Sequence, residues 1–229
     1  LGIHELTLDH YRRLFDRPIV LSSFRNSFIV AAVSSTVTTI VALMAAYAIS
    51  RFRFRGRGAV AGSIMGVQLI PAIVVLVPMV VILRNLGLAN SLVGLTLAHL
   101  TLGLPVAVFL LTSYIDDIPP ELEEAAMVDG ASRVRALFSV VLPLLRPAIV
   151  AVGSFAFILS WGEYLVALSL ITSEAAKTLP LGIQSLFDLY EVRVGEVLAF
   201  GVVISLPVAA LFILVQRQLV EGLLAGGSK

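Results

Sequence analysis

Six acids crowd one short stretch of an otherwise apolar chain: Asp116, Asp117, Glu121, Glu123, Glu124 and Asp129. A further acid, Glu163, stands apart in the segment SWGEYLV, and His99 and Gln68 are the other notable polar groups within apolar runs. These residue types could serve acid–base chemistry or bind a cation or a polyol. None is spaced as a known catalytic constellation. A phosphate-cradling loop needs a lysine directly after glycine, whereas Lys177 follows Ala176 and Lys229 follows Ser228. His4, His10 and His99 are too scattered for an HExxH zinc site. No GxSxG elbow occurs, and the absence of cysteine removes disulfides, thiolate chemistry and Cys-type metal sites. No catalytic, cofactor or metal site is expected on this chain.

The elements that must position these groups are membrane spans. With 229 residues, a mean hydropathy of +1.01, 59% hydrophobic and 14% charged residues, the chain is too apolar for an ordinary water-soluble domain. Its net charge of +1 supplies no basic stripe for nucleic acid. Five apolar runs, 26–50, 59–83, 91–115, 144–171 and 197–216, could each cross roughly 30 Å of hydrocarbon at about 1.5 Å per residue. Pro71, Pro78, Pro105 and Pro207 lie inside runs, where neighbouring helices can re-satisfy the backbone, and predict kinks.

An acid at midspan costs on the order of 2.5–3.5 kcal/mol on insertion scales if it behaves like Asp, so Glu163 should face a cavity or a partner helix. It is read either as a path-lining group that hydrogen-bonds a polyol, with Gln68 and Trp161 as further path candidates, or as an interhelical polar contact. Ser34, Ser35, Thr36, Thr38 and Thr39 could also line a path, although such hydroxyls more often bond backbone or a neighbouring helix.

Orientation follows from arginine and lysine in the loops. Arg51, Arg53, Arg55, Arg57, Arg133, Arg135, Arg146, Arg217 and Lys229 fall on one side, nine in all, against Arg84, Lys177 and Arg193 on the other. The richer side is expected to face the cytoplasm, with the C-terminus. The polar opening stretch, with Arg12, Arg13, Arg17 and Arg25, then lies outside, which a further span ahead of Leu1 would explain.

Residues 116–143 form the one sizeable loop on the cytoplasmic side. Pro119 and Pro120 suit a first helical turn, and Glu121, Glu123 and Glu124 then lie at the positive end of the helix dipole. Gly130 can enter a left-handed terminating conformation cheaply. Ser132 can cap a second helix in which Val134, Leu137, Phe138 and Val141 repeat at i, i+3, i+4, i+7. The expected product is a helix–turn–helix with an apolar stripe beyond what solubility needs, a docking surface. The arginine run 51–57 is read as an orientation signal and a contact for lipid headgroups.

Glu124-Ala125-Ala126, Gly130 four residues on, then Val140 and Leu142-Pro143, resemble the "EAA" loop of ABC importer permeases, with Val140 standing where isoleucine is usual. AYAISRFRFRG, WGEYLVALSL and QRQLVEGLLAGGSK, in the same order, resemble the maltose-permease type of carbohydrate importer. The resemblance covers nearly the whole chain. It implies an all-α transmembrane bundle of the type I importer kind, with five spans visible and a sixth upstream, as one permease domain over 1–229 in a bacterial inner membrane. It implies a coupling role for Glu124, Ala125, Ala126, Asp129, Gly130, Leu142 and Pro143. It further implies a second, different permease chain, two ATPase subunits that hold ATP–Mg, a solute-binding protein and a carbohydrate substrate. The alternative is an ion-coupled secondary transporter that uses Glu163.

Overall fold

The computed structural model describes residues 7–186 and 194–226, with side chains described over 7–184 and 194–216. His4, Arg193, Lys229 and the side chain of Arg217 lie outside those ranges, as does part of the outer loop between the last two apolar runs.

A short helix, α1 (Asp9–Phe15), buries Leu14 and leads into α2 (Pro18–Arg51). Pro18 sits in the first turn of α2, where its missing N–H is no loss. At 34 residues, α2 is about 50 Å long and overruns a bilayer core. Gly56, with φ +88°, turns the chain into α3 (Arg57–Gly66), followed by a 3₁₀ turn at Val67–Leu69 and by α4 (Ala72–Asn85). The run 59–83 is therefore not one straight helix: it bends by 101° between Leu69 and Ala72. The cause is local. Pro71 has no amide proton and holds Ile70 extended, at φ −81° and ψ 123°.

Ser91 caps α5 (Leu92–Asp116) by accepting from the Gly94 amide at 3.0 Å. Then come α6 (Glu121–Val128), α7 (Arg133–Ala136), a π turn at Leu137–Val141 and α8 (Leu142–Trp161). The last three form one continuous helix from Arg133 to Trp161. Pro143 does not separate hairpin from span. Its ring would clash with the carbonyl four residues back, and the π turn ahead of it widens the helix there. The run 144–171 ends as a helix at Trp161. After Gly162 the chain restarts as α9 (Leu165–Leu170), then α10 (Leu179–Gly182), and α11 (Val194–Gly226) closes the bundle. Among the described residues four helices are long and apolar enough to cross a membrane, or five with the bent α3–α4 pair counted as one span.

At the centre lies α2, packed on α5 and α8. Small residues let these backbones approach: a Cβ on Gly103 would stand 3.6 Å from Thr38, and one on Gly153 3.4 Å from Thr39. Ala42, Ala46, Leu111, Ile115, Val141 and Leu145 fill the core at the Arg51 end. At the opposite end Val30, Leu95, Ala167 and Leu170 form one cluster, and Leu14, Val20, Trp161 and Phe200 another.

Candidate coupling face and translocation path

The acidic insert and the arginine run meet at one end of the bundle, and they meet through a specific ion pair. Arg51 Nε lies 2.5 Å from Glu123 Oε1, and the two side chains are only 10% and 5% exposed. Tyr47 donates its hydroxyl to Glu123 Oε2 at 2.8 Å, and Arg51 Nη2 donates to the Ile118 carbonyl at 2.7 Å. Removing one member of so buried a pair strands a charge, at a cost on the order of 3–5 kcal/mol. Arg51 is thus engaged by the protein itself, whereas its neighbours Arg53 and Arg55 are exposed. Tyr47 and Arg51 are one turn apart on α2, which is the only local sign of the pair; its acid lies 72 residues on.

The hairpin itself follows local chain chemistry. Three acids occupy the first turn of α6. Gly130 has φ +92° and ends it, and Ser132 Oγ accepts from the Arg135 amide at 3.3 Å to start α7. α6 packs back on α7 and on the π turn, so the EAA end and the Val141–Pro143 end share one small unit. Glu124, Ala125, Asp129 and Gly130 are exposed, as is Pro143, while Ala126 and Leu142 are half-buried. The apolar stripe splits. Val141 is fully buried and Leu137 half-buried against the bundle, whereas Val134 (65% exposed) and Phe138 (64%) point outward with Leu122 and Val128 (87%). Exposed apolar side chains and exposed acids thus share the outward side of the hairpin.

The three candidate path residues engage separate partners. Glu163 accepts from the Val166 amide at 2.9 Å and the Ala167 amide at 3.1 Å, so its carboxylate caps α9. His99, itself buried, places Nε2 3.4 Å from Glu163 and Nδ1 2.6 Å from Ser160 Oγ, joining α5 to the break after α8. Trp161 is 2% exposed; it donates to the Ile204 carbonyl at 2.9 Å and stacks on Phe157. With Gly162 and Ile204 it also edges an apolar groove of about 780 Å³ between α8 and α11. Gln68 is exposed and lies 3.5 Å from the Leu102 carbonyl.

Most hydroxyls of α2 bond to their own helix: Ser34 to Ala31, Ser35 and Thr36 to Ala32, Thr39 to Ser35. Ser35, Thr36 and Thr39 nevertheless border a cleft of about 440 Å³ that Gly153 and Ser154 complete.

Polar side chains fix the far end. Asn90, at φ +55°, accepts through Oδ1 from the Thr172 and Ser173 amides at 2.6 and 2.8 Å. Asn26 donates to the Ala175 and Lys177 carbonyls, and Ser27 Oγ accepts from the Leu179 amide. Sequence reading singled out none of these anchors, since each joins elements distant in the chain.

Among the described residues the fold is a bundle of membrane-length helices carrying a polar helical hairpin at one end, an architecture suited to a membrane transport subunit. The chain belongs to the family of binding-protein-dependent transport system inner membrane components, which matches residues 19–224. It is 40% identical over 227 residues to the sulfoquinovosyl glycerol transport system permease protein SmoH of Agrobacterium fabrum, covering 99% of this chain and 79% of that one. It is 37% identical to the inner membrane ABC transporter permease protein YcjP of Escherichia coli, with 97% and 80% covered. The trehalose transport system permease protein SugB of Mycobacterium tuberculosis is 32% identical, with 98% and 82% covered. Among solved structures, a chain of a bacterial ABC transporter involved in import of the acidic polysaccharide alginate superposes with a TM-score of 0.77 at 24% identity, over 93% of this chain and 79% of that one. The all-helical importer-permease fold and a multi-pass inner-membrane protein are thereby established.

Proposed function

We propose that this chain is the translocating subunit of an ATP-driven importer that receives a carbohydrate or related polyol from a solute-binding protein. The exposed face of the α6–α7 hairpin carries this reading. Glu124, Leu122, Val128, Val134 and Phe138 face away from the bundle, where a separate ATPase subunit would cover them. Several relatives are named for the transport of glycosides, among them sulfoquinovosyl glycerol, trehalose and diacetylchitobiose, which supports a glycoside cargo. A related alginate transporter has been solved with a substrate-bound periplasmic protein, which supports such a delivery partner. On this reading the hairpin end faces the cytoplasm together with the C-terminus, ATP–Mg is held by two ATPase subunits, and a second permease chain completes the path. The cleft edged by Ser35, Thr36, Thr39 and Ser154 is the stretch of this chain best suited to pass hydroxylated cargo. No observation favours ion coupling through Glu163, whose two carboxylate oxygens are taken up by α9 amides.

The test is reconstitution. Co-expressed with a second permease chain and the ATPase chains of the same importer, this chain should purify as a complex. In proteoliposomes, a panel of glycoside-loaded binding proteins should stimulate ATP hydrolysis and uptake for at least one sugar. Uptake driven by a proton or sodium gradient without ATP would overturn the reading.

A further inference from the structure

Two acids stand side by side at the start of the docking helix, and the structure gives them opposite tasks. Glu124 is exposed, while Glu123 is 4% exposed and turned into the bundle. We propose that Glu123, Arg51 and Tyr47 form a strut that makes α6 and the central helix α2 move as one body, so that Glu123 is a positioning residue for coupling. The inference rests on the importer reading above.

Three observations carry it. First, α2 and α6 have little packing against one another apart from this polar group, so the strut is their main mechanical link. Second, the link is redundant in direction. Arg51 holds Glu123 through Nε and the Ile118 carbonyl through Nη2, while Tyr47 holds the other carboxylate oxygen. Ser50, next to Arg51, donates to Asp116 at the end of α5. The second arm of the hairpin is tied to the same place, because the Arg133 guanidinium lies 5.1 Å over the Phe52 ring, which itself packs edge-on to Tyr47. Third, α2 leads directly from this strut to the hydroxyl-bordered cleft at Ser35–Thr39. Covalent continuity already joins α7 to α8. The strut adds a second route, from α6 into α2, and the cleft is walled chiefly by α2 and α8, with Leu211 and Val215 of α11 on its third side. A displacement applied to the hairpin would then reach the α2 and α8 walls together. A planar guanidinium gripping a carboxylate and a carbonyl at fixed angles suits a rigid joint better than an ammonium would.

The test uses the complete transporter in proteoliposomes and the absence of cysteine from this chain. The double variant Arg51→Cys/Glu123→Cys should insert and retain the ATPase, while sugar taken up per ATP hydrolysed falls about tenfold, the scale of a typical coupling free energy. Bridging the two thiols with a short bis-methanethiosulfonate reagent should restore most of that ratio, and reduction should abolish it again. Should the double variant fail to assemble, Tyr47→Phe keeps the ring and removes one hydrogen bond, and should lower the same ratio about threefold. An unchanged ratio in whichever variant assembles, or a bridged pair that stays uncoupled, overturns the strut. Failure of the importer reading would look different, because the unmutated chain would then purify without an ATPase.

Discussion

At Gly130 the backbone conformation alone decides which side chains are allowed. Its φ of +92° is hostile to L side chains, yet a Cβ there would meet nothing within 4 Å, so the cost of substitution is conformational, on the order of 1–2 kcal/mol. Gly130→Val should leave the chain inserted while weakening ATPase retention in a pull-down; Gly130→Asn, which enters the left-handed region more readily, should retain it. Equal behaviour of the two variants would remove the turn from the account. Glu163 has the opposite character, a side chain defined by its partners. Glu163→Gln keeps one acceptor for the α9 amides and should cost about 1 kcal/mol of stability in a detergent melt while transport largely survives. Complete loss of transport in that variant, with normal assembly and ATPase activity, would make the carboxylate a ligand for sugar or ion.

Elements were legible in the sequence wherever their signals are local. Hydropathy placed the long helices, Gly130 and Ser132 marked the turn of the hairpin, and Pro71 marked a kink, although not one of 101°. Two features escaped because they depend on which partner a side chain meets in the fold, backbone in one case and a distant side chain in the other. The run 144–171 reads as unbroken apolar sequence, yet Glu163 caps a new helix inside it. Likewise nothing near Glu123 and Glu124 tells which turns inward; that depends on Arg51, 72 residues away. The turn between α4 and α5 makes the same point and yields a prediction. Asn90→Ala removes the acceptor shared by Thr172 and Ser173, leaving those amides unpaired by Asn90 at about 1–3 kcal/mol. The variant should show reduced membrane abundance and a lower melting temperature; an unshifted melt would mean that the loop is held elsewhere.

For the whole molecule, the arrangement is a bundle with two differently built ends. One end is pinned by Asn26, Ser27 and Asn90, and the other carries the hairpin and the Arg51 strut. Their sidedness can be read in intact cells: Gly58→Cys should resist an impermeant thiol reagent while Ser173→Cys labels, and the reverse pattern would invert the topology. The central claim, that the hairpin is the seat of an ATPase, is tested most directly by contact. A photo-crosslinking residue in place of Val128, the most exposed apolar side chain of the hairpin at 87%, should give a covalent adduct between this chain and the ATPase subunit in the assembled transporter. The same probe in place of Ile73, which is also exposed but lies on α4, should give none. A transporter that imports sugar normally but yields no ATPase adduct from position 128, or yields it equally from position 73, would contradict the account.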